Sequence, residues 1–306
     1  MSSQGIAARG PAAKSVVLVL GVTGMLGSAV FRYFNSCGDG FVVFGSARSL
    51  PAAAGAALGP HDKSQIVVPV DVENSDALAE AFARVRPNIV INCIGVVKQL
   101  QSANDPLVAV PLNTLLPHRL AKLCAIAGAR FIHVSTDCVF TGQQGRYAES
   151  DTTDATDIYG LSKLLGEVDY PHAITLRTSI IGEEIGVANG LVGWFLRQAG
   201  TVKGFANAIF SGLPTNELAR VIHGYVLPHA ELHGVYHVSS APISKFDLLS
   251  LVRDEYGLAT QIDRDESLVI DRSLDSSRFM AATGYEPPDW PTLVRDMRRF
   301  RMSSHA

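Results

Sequence analysis

Val16-Val17-Leu18-Val19-Leu20-Gly21-Val22-Thr23-Gly24-Met25-Leu26-Gly27 is the passage on which the fold turns. Val16 to Leu20 is apolar without a break and rich in β-branched residues, as a strand buried on both faces should be. Beyond the glycine turn, Leu26, Val30, Phe31 and Phe34 fall at helical spacing over Met25 to Phe34. Strand, glycine turn and helix in that order leave free N–H groups, and about half a positive charge, where a pyrophosphate can sit. The spacing is G-x-x-G-x-x-G, and in this context the turn reads as a dinucleotide-binding site rather than a tight turn alone.

Outward from the turn, the same alternation repeats. Phe41 to Phe44, Gln65 to Val70, Asn88 to Cys93 and Arg130 to Val134 read as further buried strands. Ala77 to Val85 and Leu112 to Ala127 read as helices, with Pro117 complicating the start of the second. Short apolar strands alternating with helices mean β-α-β units, a parallel sheet and right-handed crossovers. The expected fold class is α/β, a Rossmann-type doubly wound parallel sheet. The second half is looser. Asp157 to Val168, Leu191 to Gln198, Glu217 to Leu227, Phe246 to Tyr256 and Pro291 to Arg301 read as helices, and Ala173 to Arg177 and Val235 to Val238 as strands. Gly, Pro and polar residues cluster between Gly182 and Asn216, where a smaller C-terminal substrate-binding lobe is expected to leave the sheet. The expected division is a dinucleotide-binding domain over 15–180, a lobe with returning core elements over 181–306, and a flexible leader over 1–14. Pro51 to Gly59 reads as a surface loop.

Composition sets the outer limits. A chain of 306 residues can bury a core of normal size without a metal or disulfide staple. Lys and Arg number 26 against 29 Asp and Glu, so no basic excess points to nucleic acid or a membrane surface. No apolar run reaches the roughly 18 residues that span a bilayer. Cys37, Cys93, Cys124 and Cys138 form no C-x-x-C pair and read as reduced thiols of a cytoplasmic protein. His229, His233 and His237 invite a metal reading, but Gly234 breaks any helix between the last two, and no metal is expected. A homodimer is compatible with the sequence.

Which dinucleotide binds is read from the end of the second strand. NAD-selective sites place a carboxylate there, whereas this strand runs into Ser46-Ala47-Arg48-Ser49. Ser46 and Arg48 suit a 2′-phosphate, so NADP (as NADPH) is the expected cofactor. Asp71, after the third strand, either accepts from the adenine amino group or closes a turn. Cys93-Ile94-Gly95 follows the fourth strand at the edge where open α/β sheets bind ligands. The second motif is Tyr159-Gly-Leu-Ser-Lys163, which puts Tyr and Lys on one helix face. A phenol that ionises near pH 10 is a poor proton shuttle at neutral pH, and an ammonium one turn away favours its phenolate. Ser135-Thr136-Asp137 places a hydroxyl at the same sheet edge.

Glycine turn, Ser-Thr after the fifth strand, then Y-x-x-x-K: this ordered set resembles the extended branch of the short-chain dehydrogenase/reductases over nearly the whole chain. Within it, Ser135-Thr136-Asp137-Cys138-Val139-Phe140-Thr141-Gly142 is similar to the S-T-D-Y-V-F-x-G segment of the dTDP-4-dehydrorhamnose reductases. Leu176-Arg-Thr-Ser179, Leu213-Pro-Thr-Asn-Glu-Leu-Ala219 and Leu274-Asp-Ser-Ser-Arg-Phe279 continue the likeness. The resemblance implies a nicotinamide-dependent reductase of a nucleotide-linked 4-keto sugar, serving cell-surface polysaccharide. It implies Thr136, Tyr159 and Lys163 as catalytic residues. It implies a cofactor held by Gly21, Thr23, Gly24, Met25, Leu26, Gly27, Asp71, Val72, Cys93, Ile94 and Gly95, with Tyr159 and Lys163 also touching it.

Lys98, Gln99 and Asp137 are expected near the sugar, although a solvated loop explains Lys98 equally. Trp194, Phe205 and Phe210 either stack on the base or pack the core. Cys138 stands where the reductases usually carry Tyr. The Glu that abstracts a proton in the related 4,6-dehydratases is missing, which disfavours dehydration. Two alternatives remain from the sequence: a nucleotide-sugar epimerase of the same branch, and a non-enzymatic NADP-binding regulatory subunit.

Overall fold

The computed structural model describes residues 14–38, 40–96, 98, 101–186 and 189–302. The expected leader, apart from Lys14, lies outside the described residues, and so does Gln99. In chain order the main elements are β1 (Ser15–Leu20), α1 (Met25–Cys37), β2 (Phe41–Ser46), β3 (Ile66–Val67), α2 (Ser75–Val85) and β4 (Ile89–Asn92). They continue with α3 (Leu116–Ala127), β5 (Arg130–Thr136), α4 (Ile158–Leu165), β6 (Ala173–Thr178), α5 (Thr215–Val221), β7 (Gly234–His237), α6 (Lys245–Tyr256) and α7 (Trp290–Met302).

The seven strands form one sheet in the order β7-β6-β5-β4-β1-β2-β3. Every neighbouring pair is parallel. Because β4 lies on the opposite side of β1 from β2, the connections wind over both faces, and the crevice at this reversal is where such sheets bind ligands. One face buries Leu26, Val30, Phe31 and Phe34 of α1 with Leu218 and Val221 of α5. The other buries Leu78 and Phe82 of α2 with Leu116, Leu120 and Cys124 of α3. Strands covered on both sides need no alternation, which is why they read as continuous apolar runs. The chain is an α/β protein of Rossmann type.

Three local readings need correction. The alanine-rich stretch after Pro51 is a short helix, Ala52–Ala57, and not a loop. Five alanines have the highest helix propensity, and the buried Ala54 gives the turn something to pack. The third strand shrinks from Gln65–Val70 to Ile66–Val67, because Pro69 has no N–H for the ladder. The helix expected from Leu112 begins as a π-helical segment, Val110–Leu115, and becomes α-helical only from Leu116. Pro117 then falls in the first turn, where a missing N–H costs little.

Beyond β6 the chain also builds small sheets. Ala208–Phe210 is the middle strand of three, flanked by Ile243–Ser244 and Ile270–Asp271. Thr201–Phe205 pairs with Gln261–Asp265, and Ile180–Ile181 with Leu213–Pro214. Val192, Phe195, Phe210, Leu248, Val252, Trp290 and Leu293 form this region's own apolar core. No helix among the described residues is long and apolar enough to cross a membrane, and Cys37, Cys93, Cys124 and Cys138 form no disulfide among the described residues.

Candidate active site

The glycine turn owes its shape to close backbone approach. Gly21 has φ of +83°, a conformation that L side chains rarely adopt. Gly21 N and Val22 N both donate to the Ser46 carbonyl, at 3.0 and 3.1 Å, which ties the turn to the end of β2. A Cβ on Gly27 would stand 2.1 Å from the Gly21 carbonyl oxygen, so only glycine lets α1 start here. Gly24 caps α1 without a side-chain bond, and the first turn has no acidic residue. The N–H groups of that turn lack intrahelical acceptors and carry the positive end of a thirteen-residue helix. This cradle fits the pyrophosphate of a dinucleotide.

The loop after β4 is held from two sides. Asn92 Oδ1 accepts from Ile94 N at 3.1 Å, and the Asn92 amide meets His133 Nδ1 at 3.2 Å. Asn113, buried in the π-helical segment, accepts from Val96 N at 3.0 Å and donates to Ser162 Oγ at 3.0 Å. One buried amide thus clasps the β4 loop to α4. Burial pushes the Cys93 thiol well above its usual range, so Cys93 supplies shape and no nucleophile.

Helix α4 is started by Asp157, whose carboxylate accepts from Gly160 N at 2.6 Å. Tyr159 and Lys163 lie one turn apart on this helix and both line a cleft of about 610 Å³ at the C-terminal edge of the sheet. Thr23, Gly24, Met25, Leu26, Cys93, Ile94, Gly95, Lys98, Thr136 and Asp137 line the same cleft. Residues up to 140 positions apart in sequence therefore share one cavity. A second cavity, of about 530 Å³, opens between Arg32, Glu183 and Arg301, and holds none of the paired groups.

Thr136 ends β5 with its hydroxyl accepting from Cys138 N at 3.1 Å and donating to Asp137 Oδ1 at 3.2 Å. Lys163 is buried and donates to the Val134 carbonyl at 2.7 Å. Burial pulls its ammonium down to about 8, against which the Glu167 carboxylate pushes upward. Tyr159 departs from the sequence expectation. Its phenol is raised above the ordinary range, first by burial and then by Cys138, Asp137 and Asp157, while a hydrogen bond from Thr136 opposes them. Taking the phenolate out of water is the largest influence, so the Tyr159 phenol keeps its proton at neutral pH. Lys98 Nζ stands 5.7 Å above the Tyr159 ring and 3.5 Å from Asp157. Asp137 is buried and its carboxyl is raised, with Arg272 the strongest opposing influence.

Some expected residues lie elsewhere. Ser46 is buried, and its hydroxyl has no hydrogen-bond partner; Arg48 is exposed just beyond it. Asp71 is exposed and closes a turn through Glu73 N at 3.0 Å, while Val72 is buried. Ser46 ends β2, the other three follow β2 and β3, and none of the four lines the cleft. Trp194 does not line the cleft: it is 38% exposed, with its ring tilted against Phe195. Its helix, Leu191–Phe195, turns Val192 and Phe195 into the core instead. Phe210 is buried against Trp290 and also lines the cleft, whereas Phe205 ends a strand of the lobe. No group of three metal-ligating side chains occurs among the described residues. The sequence reading missed Lys245 and Arg272, which line the cleft from the small three-stranded sheet. Each follows a strand of two residues, too short for any periodic signal.

Comparison with known proteins bears on the family and the fold. The dTDP-4-dehydrorhamnose reductase of Aggregatibacter actinomycetemcomitans is 26% identical over 259 residues, covering 76% of this chain and 87% of that protein. Methionine adenosyltransferase 2 subunit beta of Danio rerio is 27% identical over 256 residues, covering 79% and 74%. Among solved structures, the dTDP-4-dehydrorhamnose reductase of Bacillus anthracis in complex with NADP shares the fold. Its TM-score is 0.75 at 20% identity, covering 94% of this chain and 99% of that one. The model of the family described as RmlD substrate binding domain matches residues 15–297, and the chain belongs to that family.

Proposed function

We propose that the protein is an NADPH-dependent reductase acting on the 4-keto group of a nucleotide-linked deoxy sugar, in the making of cell-surface polysaccharide. The observation that carries this reading is the convergence of Thr136, Tyr159 and Lys163 on one cleft with the glycine turn. When bound, the reduced nicotinamide supplies hydride. Gly21 to Gly27 hold its pyrophosphate, and Ser46 and Arg48 meet the 2′-phosphate at the end of β2. Asp71 and Val72 border the adenine.

On the substrate side, the Thr136 hydroxyl orients the carbonyl oxygen, and Tyr159 delivers the proton to that oxygen as its charge develops. Its raised phenol keeps the proton available until then. Lys163 keeps an ammonium beneath it to stabilise the phenolate left behind, and Asp137 and Lys98 bound the sugar. The test is direct. The full chain, given NADPH and a dTDP-4-keto-6-deoxyhexose, should oxidise the cofactor, followed by its absorbance. Cofactor binding without consumption, across dTDP-, UDP-, GDP- and CDP-linked keto sugars, would overturn the reading.

A second reading, a cofactor-binding regulatory subunit without turnover, has one observation in its favour: Lys163 gives its short bond to Val134 while the phenol stays high. For assembly we propose a homodimer in the cytoplasm. Leu107, Leu115, Leu161 and Leu165 are exposed on neighbouring helical segments and offer the apolar face for it.

A further inference from the structure

Two of the cations in the cleft, Lys245 and Arg272, have no part in the proton and hydride chemistry above. The lobe's small sheet explains where they stand. Ser244 and Asp271 both pair with Ile209, from opposite sides of the strand Ala208–Phe210. Lys245 and Arg272 are the next residues on each side. Because the first strand runs against Ala208–Phe210 and the second along it, Lys245 steps toward Ala208 and Arg272 toward Phe210, so their backbones are about 12 Å apart on opposite sides of a strand that lines the cleft.

Charge in this corner does not balance. Arg272 lines the cleft, and its one side-chain hydrogen bond among the described residues runs from Nε to the Phe140 carbonyl at 2.9 Å. Lys98 is paired with Asp157. Lys245 is half-buried and has no hydrogen bond or ion pair among the described residues. Asp137 is the carboxyl that faces Lys245, Arg272 and Lys98 together. Burial raises that carboxyl and lowers the Lys245 ammonium, so both groups are held at a cost. With Asp157 set against Lys98 and Asp137 against one of the other two, one positive charge is left over. A half-buried cation without a partner gives up part of its hydration, and a ligand oxyanion between Lys245 and Arg272 compensates it.

We infer that Lys245 and Arg272, at the two edges of this sheet, form a seat for an oxyanion of the substrate. The inference rests on the reductase reading in one respect, that the anion belongs to the molecule being reduced. Its source is either the diphosphate that joins sugar to nucleoside or a carboxylate on the sugar itself. A neutral sugar placed against this wall leaves Lys245 enclosed and unpaired.

Calorimetric titration of the full chain, with NADP⁺ in excess, tests the seat using thymidine diphosphate, glucuronate and neutral glucose as probes. At least one anion should bind, and Lys245→Met and Arg272→Gln should each weaken it about tenfold or more. Lys245→Arg should restore it. Loss confined to thymidine diphosphate assigns the seat to the diphosphate, and loss confined to glucuronate assigns it to a sugar carboxylate. Both anions binding the variants as they bind the parent, or neither binding the parent, overturns the proposal. Thermal unfolding identifies a variant that fails to fold; should Arg272→Gln do so, the Lys245 pair decides. NADPH fluorescence on the same samples separates the two readings. Absent NADPH binding refutes the reductase, while intact NADPH binding with unaltered anion binding refutes the seat alone.

Discussion

The seven-stranded sheet and the small lobe over its mouth are built on opposite terms. In the sheet, β1, β5 and β6 are six or seven residues long, and their core residues are fully buried. Local pattern suffices to place them, and the chemistry hangs from their ends. In the lobe's small sheet, strands of two or three residues pair across 33 positions on one side (Ile243 with Phe210) and 62 on the other (Ile270 with Ala208), and pairing alone puts Lys245 and Arg272 on one wall. What the sheet contributes to the cleft follows from sequence spacing. What the small strands contribute follows from assembly.

The largest effect should come from the sheet side. Tyr159→Phe keeps the ring and removes the proton, and kcat should fall by about two decades or more with the fold unchanged by circular dichroism. Turnover equal to the parent would mean that spacing in the sheet does not mark the acid. Next, Gly27→Ala sets a methyl against the Gly21 carbonyl. NADPH affinity should fall about tenfold or more, measured by fluorescence titration, and thermal stability should fall with it because the clash is with backbone.

A subtler test concerns charge. Lys163 is an ammonium below about pH 8 and loses its proton above it, and Glu167 is what raises it. Activity should therefore decline as pH rises through that region, and Glu167→Gln should move the decline to lower pH by a unit or less. Since Glu167 also holds Arg177 at 2.6 Å and Ser135 at 2.8 Å, the same variant should lose stability by about 3–5 kcal/mol. A uniform drop in rate with an unmoved pH midpoint would make Glu167 structural only.

The smallest effect is expected at Trp194. Trp194→Ala should change KM and kcat by less than about twofold, since the ring lies outside the cleft. A large rise in KM would return it to the substrate and show the lobe's layout to be more legible than its short strands suggest.

Which parts could be read in advance follows from these terms. β1, the glycine turn and the Tyr159-Lys163 pair announce themselves because strand burial, close backbone approach and helical spacing all leave local traces. Thr136 is legible as a cleft residue because it ends a readable strand. Lys245 and Arg272 are not, since neither Ile243–Ser244 nor Ile270–Asp271 is long enough to show a period. Trp194 misled for a related reason: a large aromatic in a glycine-rich stretch suggests stacking, and only the packing of Val192 and Phe195 shows which way its helix turns.

Asn113 has a bearing on how such a protein can change over time. Its single amide secures Val96 on one side and Ser162 on the other, so the β4 loop and α4 share a rivet. A lineage that altered this residue would displace both together, whereas the Arg48 side chain, exposed beyond the end of β2, can be exchanged without touching either.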